Sequence, residues 1–329
     1  MKQRIYLITG LLICCSILFP LAISAQSITA PLDPTHATRM PAATGWRQFE
    51  AVGLTYRESS GNREVNSEET HTFDTSAMTA HAQFKISNVA LEAGWMQSST
   101  EVTVDKESDL YVNLDYTRGL LYAALTGDDF VSVGLGGQEL KMHDYIDSEN
   151  RDEETIESSI IGSISVKMFE FLYLGGGYER VKEQSTYKVD NSWNNALLGL
   201  SILLGEPGGT RFRAEYSYAS SPKSISEGQA DKIEAEHYET EVSRYSVELM
   251  MSGLLFALNG SQERTHLEDS LVYEDESYDK ITITNNEAGV LWIPENGVSL
   301  GFYFANSKES FVFEDDESEF RINLAYVFE

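Results

Sequence analysis

The strongest constraint on the fold is the alternation of side chains in the final stretch of the chain, residues 316–329 (DESEFRINLAYVFE). Every second residue there is apolar or aromatic, namely Phe320, Ile322, Leu324, Tyr326 and Phe328, and the residues between them are polar or small. Because successive side chains of a strand point to opposite faces, this pattern predicts a β-strand with one wholly apolar face. Such a strand is typical of a barrel whose outer face contacts lipid.

This strand resembles the last strand of Gram-negative outer-membrane β-barrel proteins, whose assembly machinery recognises an alternating aromatic strand that ends in Phe. The resemblance implies that the five residues just named form an assembly signal and that the barrel-assembly machinery is a partner. One departure is that Glu329 follows the Phe with which the family usually ends. The resemblance is to a superfamily of porin-like barrels, and it implies a fold without implying one function.

The amino-terminal 25 residues have the pattern of a secretory signal peptide. Lys2 and Arg4 precede a mostly apolar run, and small residues precede a cleavage point before Gln26. We therefore predict a cleaved signal over residues 1–25 and export to the outer membrane of a Gram-negative bacterium. The alternative for an apolar run of this length is a transmembrane helix.

Cysteine content and charge exclude several classes of function. Cys14 and Cys15 both lie in the predicted signal, so a mature chain would have no thiol for disulfides, thiolate metal sites or cysteine nucleophiles. The formal net charge is −28, which disfavours binding to nucleic acid through phosphates. We expect the acidic residues to lie mainly in solvated loops.

Two-residue alternation begins near Phe49 and predicts an all-β, transmembrane, antiparallel up-and-down barrel over residues 48–329, with about 14 strands (12–16). Long polar loops are predicted to alternate with short turns, as expected when one barrel end faces the exterior and the other the periplasm. The predicted long loops are 59–69, 101–108, 143–155, 220–237, 262–279 and 306–316. A soluble all-β secreted protein is the alternative.

The fourth predicted strand is the least regular. Its outward residues are predicted to be Leu110, Val112, Leu114 and Tyr116, which puts Asp115 on the inner face. With that phase Arg118 would face lipid. We therefore expect a bulge or phase slip between Thr117 and Asp129.

The segment from Gln26 to Arg47 is polar, contains three prolines and has no periodicity. It is predicted to be a periplasmic N-terminal tail. A short plug that enters the barrel is the alternative. With an even number of strands, both barrel termini are expected on the periplasmic side.

A barrel of about 14 strands lies between the small side-chain-filled barrels and the water-filled porins. Its inner face is predicted to carry charges of both signs, and the predicted pore-lining residues are Lys85, Glu92, Asp115, Lys167, Glu179, Arg211, Arg213, Glu215, Arg244, Glu248, Glu287 and Arg321. These charges either create a field across a hydrated lumen or form ion pairs that satisfy one another. Inward glycines such as Gly175 and Gly177 leave room for water or for a folded-in segment.

Three functional hypotheses follow for a barrel in contact with outer-membrane lipid and lipopolysaccharide. The first is a pore for passive diffusion of small polar solutes. The second is a non-conducting barrel that acts through acidic surface loops, in adhesion or envelope integrity. The third is a transporter of hydrophobic solutes, because the chain resembles the fourteen-stranded fatty-acid transporters. Those carry an N-terminal hatch, for which the tail from Gln26 to Arg47 is too short and too polar.

Neither an enzyme nor a cofactor or metal site is expected. Hydrolytic barrels need a nucleophile or an acid pair beside a histidine at the correct depth. Of the six histidines only His81 falls within a predicted strand.

Overall fold

A computed structural model of the chain describes residues 32–34, 40–47, 49–66, 69–104, 111–127, 130–146, 151–186, 190–205, 209–224, 237–273, 276–310 and 314–328. The predicted signal peptide lies outside these residues. The described elements are α1 (Pro41–Thr44), β1 (Glu50–Asn66), β2 (Glu69–Ile86), β3 (Val89–Val104), β4 (Tyr111–Gly127), β5 (Val131–Ile146), β6 (Arg151–Lys167), β7 (Leu172–Ser185), β8 (Asp190–Leu204), β9 (Arg211–Ser224), β10 (His237–Met251), β11 (Leu254–Tyr273), β12 (Glu276–Trp292), β13 (Gly297–Ser310) and β14 (Glu314–Phe328). Among the described residues there is no helix with the length and apolar character needed to cross a membrane.

The strands form one closed antiparallel barrel. Each strand pairs with its neighbours in sequence, and β1 pairs with β14 to complete the ring. In this closing pair Glu50 lies opposite Phe328 and Leu54 lies opposite Leu324. Closure pairs the backbone groups that an open sheet would leave at its edges, which is a requirement inside hydrocarbon. The predicted fourteen-stranded up-and-down barrel is confirmed.

The outer face carries a belt of exposed apolar side chains, in which Leu54 is 51% exposed and Phe304 is 59% exposed. The apolar residues of the final strand point outward as predicted. Outward aromatic residues lie toward both ends of the belt, with Tyr178 and Tyr245 on the long-loop side and Trp292 on the short-turn side. A belt with aromatic borders is the surface of a membrane barrel.

Short turns connect the strands at one end of the barrel. The backbone angles of these turns favour small residues. Ser252 and Gly253 join β10 to β11 with φ angles of 50° and 80°. Two consecutive positive φ angles are the geometry of the tight two-residue hairpin, whose twist matches that of the strands. This end is called the short-turn end below.

The strands are longer than the sequence suggested. They contain between 14 and 20 residues, so much of the predicted loops at 59–69, 143–155 and 262–279 is paired strand instead. Backbone pairing does not depend on apolar side chains, so a hairpin whose two faces are both polar can continue beyond the membrane into water. The predicted loop residues 147–150 and 225–236 lie outside the described residues.

The fourth strand differs from its prediction in phase. Leu114 and Tyr116 are buried on the inner face, whereas Asp115 is exposed on the outer face. β4 pairs with β3 and β5 without a register shift from end to end, so no bulge is present. Arg118 consequently lies on the inner face, opposite Met96 and Leu140. The prediction was wrong because it treated the apolar set as lipid-facing, whereas the inner face of this barrel is apolar at that height.

Candidate functional site in the barrel lumen

The described parts of the N-terminal segment lie inside the barrel and not in the periplasm. These parts, residues 32–34 and 40–47, are called the plug here. Leu32, Asp33, Met40 and Ala42 in the plug are completely buried. The prediction of a periplasmic tail is therefore corrected for these residues, and the alternative of a plug describes them. The physical reason is that inward polar side chains supply partners for the backbone of a segment whose regular structure is a single helical turn.

The first part of the plug lies near the short-turn end. Leu32 packs in a buried apolar cluster with Leu255, Leu291, Ile293 and Val327. Its backbone N–H donates to the Glu248 carboxylate at 2.9 Å. The next residue, Asp33, accepts a hydrogen bond from the Tyr303 hydroxyl, and the Pro34 carbonyl accepts one from the Gln83 side-chain amide at 3.3 Å.

The single-turn helix α1 rests against β4, β5 and β6. The backbone N–H of Ala42 donates to the Ser163 hydroxyl at 2.8 Å, and the Trp46 indole N–H donates to the Ser165 hydroxyl at 2.9 Å. Gly134 on β5 permits this approach, because a Cβ there would lie 2.3 Å from the backbone nitrogen of Ala42. Only a glycine lets the helix backbone come so close to the barrel wall.

An ion pair fixes the end of the plug to the wall. The Arg47 guanidinium lies 3.4 Å from the Glu92 carboxylate on β3, and both side chains are buried. The Thr44 hydroxyl donates to the same carboxylate at 2.9 Å, and His81 Nε2 lies 3.1 Å from it. Glu92 and Glu248 are on strands from opposite sides of the ring, so the plug is held across the lumen.

Two further inward arginines pair with carboxylates of the wall. Arg213 lies 2.5 Å from Glu215 and 3.1 Å from Glu248. Arg321 lies 2.6 Å from Glu287, and its guanidinium sits 4.3 Å from the centre of the Tyr303 ring. Buried charges that are paired and hydrogen-bonded in this way hold a specific arrangement of the wall.

The structure places eleven of the twelve predicted pore-lining residues on the inner face, and Asp115 is the exception. Lys85 donates to the Gly45 carbonyl of the plug at 3.2 Å. Lys167 lies 5.8 Å from the Tyr173 ring, Arg211 lies 5.8 Å from the Phe49 ring, and Arg244 lies opposite the buried Ser217. The contacts of Arg213 with Glu215 and Glu248, and of Arg321 with Glu287, are ion pairs of the kind that the second alternative proposes.

A layer of apolar side chains lies on the inner face next to the plug, and sequence reasoning missed it. Its members are Met40, Tyr122, Ile161, Leu197, Ala219 and Val242, with Leu120 packed against them. Further from the short-turn end the inner face continues with buried Met96, Leu114, Leu140, Met142, Val181, Trp193, Ile281 and Ile283. The signal was present in the sequence, because these residues occupy inward positions between the outward ones. It was overlooked because the inward set was searched only for charge.

One polar cluster interrupts this apolar surface. The Glu179 carboxylate on β7 accepts hydrogen bonds from Ser159 and Gln138 at 2.6 Å each, and from the Asn195 amide at 2.9 Å. Arg118 donates in turn to the Gln138 side-chain oxygen. The donors come from β5, β6 and β8, so the cluster spans adjacent strands of the wall. Of its members only Glu179 was predicted from the sequence to line the pore.

Solved structures share the barrel fold over most of the chain. A FadL homologue from Pseudomonas aeruginosa matches with a TM-score of 0.61 and 10% identity, over 93% of this chain and 96% of that one. The toluene transporter TbuX from Ralstonia pickettii matches with a TM-score of 0.59 and 9% identity, over 94% and 97%. The chain has the fold of a Gram-negative outer-membrane β-barrel.

A third structure with this outer-membrane barrel fold is the monoaromatic hydrocarbon channel CymD, with a TM-score of 0.54 and 10% identity, over 88% of this chain and 91% of that one. No protein-family model matches the sequence, and neither does any curated protein. At these identities the likeness concerns the fold.

Proposed function

We propose that this chain is an outer-membrane barrel for the passage of small hydrophobic solutes, with the plug closing the short-turn end of its lumen. The observation that carries the proposal is the apolar layer on the inner face. Apolar side chains that line a lumen offer no binding partner to a polar solute. A hydrophobic solute, in contrast, is stabilised by each apolar side chain that it contacts. The names of the structural neighbours, a toluene transporter and a monoaromatic hydrocarbon channel, support the same class of solute.

Two observations speak against the polar diffusion pore that we expected first. The plug crosses the lumen, with Leu32 and Met40 fully buried. The inward charges that would create a transverse field are paired, as in the contacts of Arg213 with Glu215 and Glu248. A field from paired, desolvated charges is short in range, so it offers little guidance to a hydrated ion.

The proposal places the barrel in the outer membrane, with lipid around the apolar belt and lipopolysaccharide beside the outer ends of the strands. The last strand keeps its proposed role as the signal for the barrel-assembly machinery. Neither catalysis nor a cofactor is part of this function.

The test is solute entry into vesicles whose outer leaflet is lipopolysaccharide, which slows hydrophobic solutes. Purified barrel should accelerate the entry of radiolabelled toluene and leave arabinose entry at the rate of protein-free vesicles. The folded state of the inserted barrel is checked by its change in gel mobility on boiling. Acceleration of arabinose without acceleration of toluene would return the polar pore to first place.

A further inference from the structure

We infer that the polar cluster around Glu179 is a binding site for the hydroxyl group of a hydrophobic solute, such as a phenol. This inference deepens the proposed function and rests on it, because it names the class of solute that the apolar layer admits. It depends on one side chain, Asn195, and on what surrounds that side chain.

The orientation of the Asn195 amide follows from its neighbour. A carboxylate only accepts hydrogen bonds, so the NH₂ end of the amide must face Glu179, to which it donates at 2.9 Å. The carbonyl end, Oδ1, is then turned away from the carboxylate. This oxygen is buried and has no hydrogen-bond partner among the described residues. A buried acceptor without a partner carries a free-energy penalty that a ligand donor removes.

The inward neighbours of Asn195 along its strand are apolar. On the inner face of β8, Asn195 lies between Trp193 and Leu197, and both of these side chains are buried. Leu197 belongs to the apolar layer together with Ala219 on β9 and Val242 on β10. One unpaired acceptor beside an apolar wall is the arrangement that orients a ligand with an apolar body and a single donor.

Charge decides between a hydroxyl and a carboxylate as the polar group of the ligand. Glu179 is 4% exposed, and a second carboxylate beside it would meet a like charge in a desolvated site. The basic residue of the cluster is Arg118, which already donates to Gln138, and the Gln138 amide donates to Glu179. The cluster therefore has a like charge for a ligand carboxylate and a cation that is already engaged. A neutral hydroxyl meets neither obstacle, and its proton fits the free Asn195 oxygen.

The experiment compares ligands of one shape on matched variants. Binding of p-cresol and p-xylene to the purified full-length barrel is measured by equilibrium dialysis, and the ratio of the two affinities is taken because the hydroxyl carries its own hydration cost. Asn195→Leu should lower the ratio of p-cresol affinity to p-xylene affinity by about fivefold to tenfold, the loss expected for one hydrogen bond. Asn194→Leu is the matched control, because Asn194 is the exposed neighbour on the outer face, and it should leave the ratio unchanged.

A second comparison needs no mutation and so does not depend on the folding of a variant. In 4-methylanisole the hydroxyl proton of p-cresol is replaced by a methyl group, which leaves an oxygen that cannot donate. The unaltered barrel should bind p-cresol more tightly, relative to water–octane partition, than 4-methylanisole. Equal partition-corrected affinities, or tighter binding of 4-methylbenzoate than of p-cresol, would overturn the inference. If p-xylene binds in those cases the proposed function stands, and if none of these ligands binds the proposed function fails as well.

Discussion

The plug level and the apolar layer next to it are two parts of one lumen with opposite chemistry. At the plug level the wall presents Glu92, Glu248 and Ser163, and each contacts an atom of the plug. In the neighbouring layer the wall presents Ile161, Leu197 and Val242, which pack on one another and on Met40. The three polar wall groups therefore find their partners in the plug. In our proposal the apolar layer meets a solute in addition to Met40.

The largest expected effect comes from removing the plug. Deleting residues 32–47 from the chain exposes the Glu92 and Glu248 carboxylates to water, because the plug atoms that cover them are gone. The deletion variant should give large stepwise currents in a planar bilayer, whereas the full chain should give none. A deletion variant that is folded by heat-modifiability and yet silent would show that the barrel is closed by something other than the plug.

Arg213→Met tests the polar half of the comparison. The change leaves Glu215 and Glu248 as neighbouring buried carboxylates without their shared cation. The free energy of unfolding should fall by about 3–5 kcal/mol, the effect of breaking a buried pair by removing one partner. Urea unfolding followed by tryptophan fluorescence measures the change. Arg180→Met, at an exposed outer position, serves as the control, and it should shift stability by less than about 0.5 kcal/mol.

Gly134→Val tests the contact between α1 and the wall. A side chain at this position would overlap the backbone of Pro41 and Ala42, so the helix must move. We expect destabilisation of about 1–3 kcal/mol from overpacking, together with ion currents smaller than those of the plug deletion. Gly162→Val is the matched control, because a Cβ there meets no atom within 4 Å. Currents equal in the two variants would mean that α1 does not close the lumen.

Val242→Thr tests the apolar half with the smallest change. The substitution keeps the shape of the side chain and replaces one methyl group of the apolar layer with a hydroxyl. Toluene affinity should fall by roughly twofold to fivefold, since the hydroxyl must lose its water when solute binds. Val247→Thr makes the same change on the outer face of the same strand, and equilibrium dialysis should show no loss of affinity there. Equal losses would remove Val242 from the solute path.

How far the sequence leads depends on which face of the wall is considered. Outward residues can be predicted from the sequence, because a strand that faces lipid must have an apolar residue at every second position, as Leu324 and Tyr326 show. Inward residues follow no such rule. The phase of β4 was misassigned for this reason, since Leu114 and Tyr116 are as apolar as lipid-facing residues and only their pairing with β3 and β5 places them inside.

The sequence by itself determined the class of fold, the closing of the ring and, in every strand except β4, the face that carries the apolar belt. These properties follow from the alternation of side chains along the chain, which has a period of two residues. Only the tertiary structure decided what fills the lumen. The contact between Asp33 and Tyr303 joins residues 270 positions apart, and that between Leu32 and Glu248 joins residues 216 apart. Such contacts form only when the closed ring brings distant strands around one lumen. A local sequence pattern therefore does not predict them.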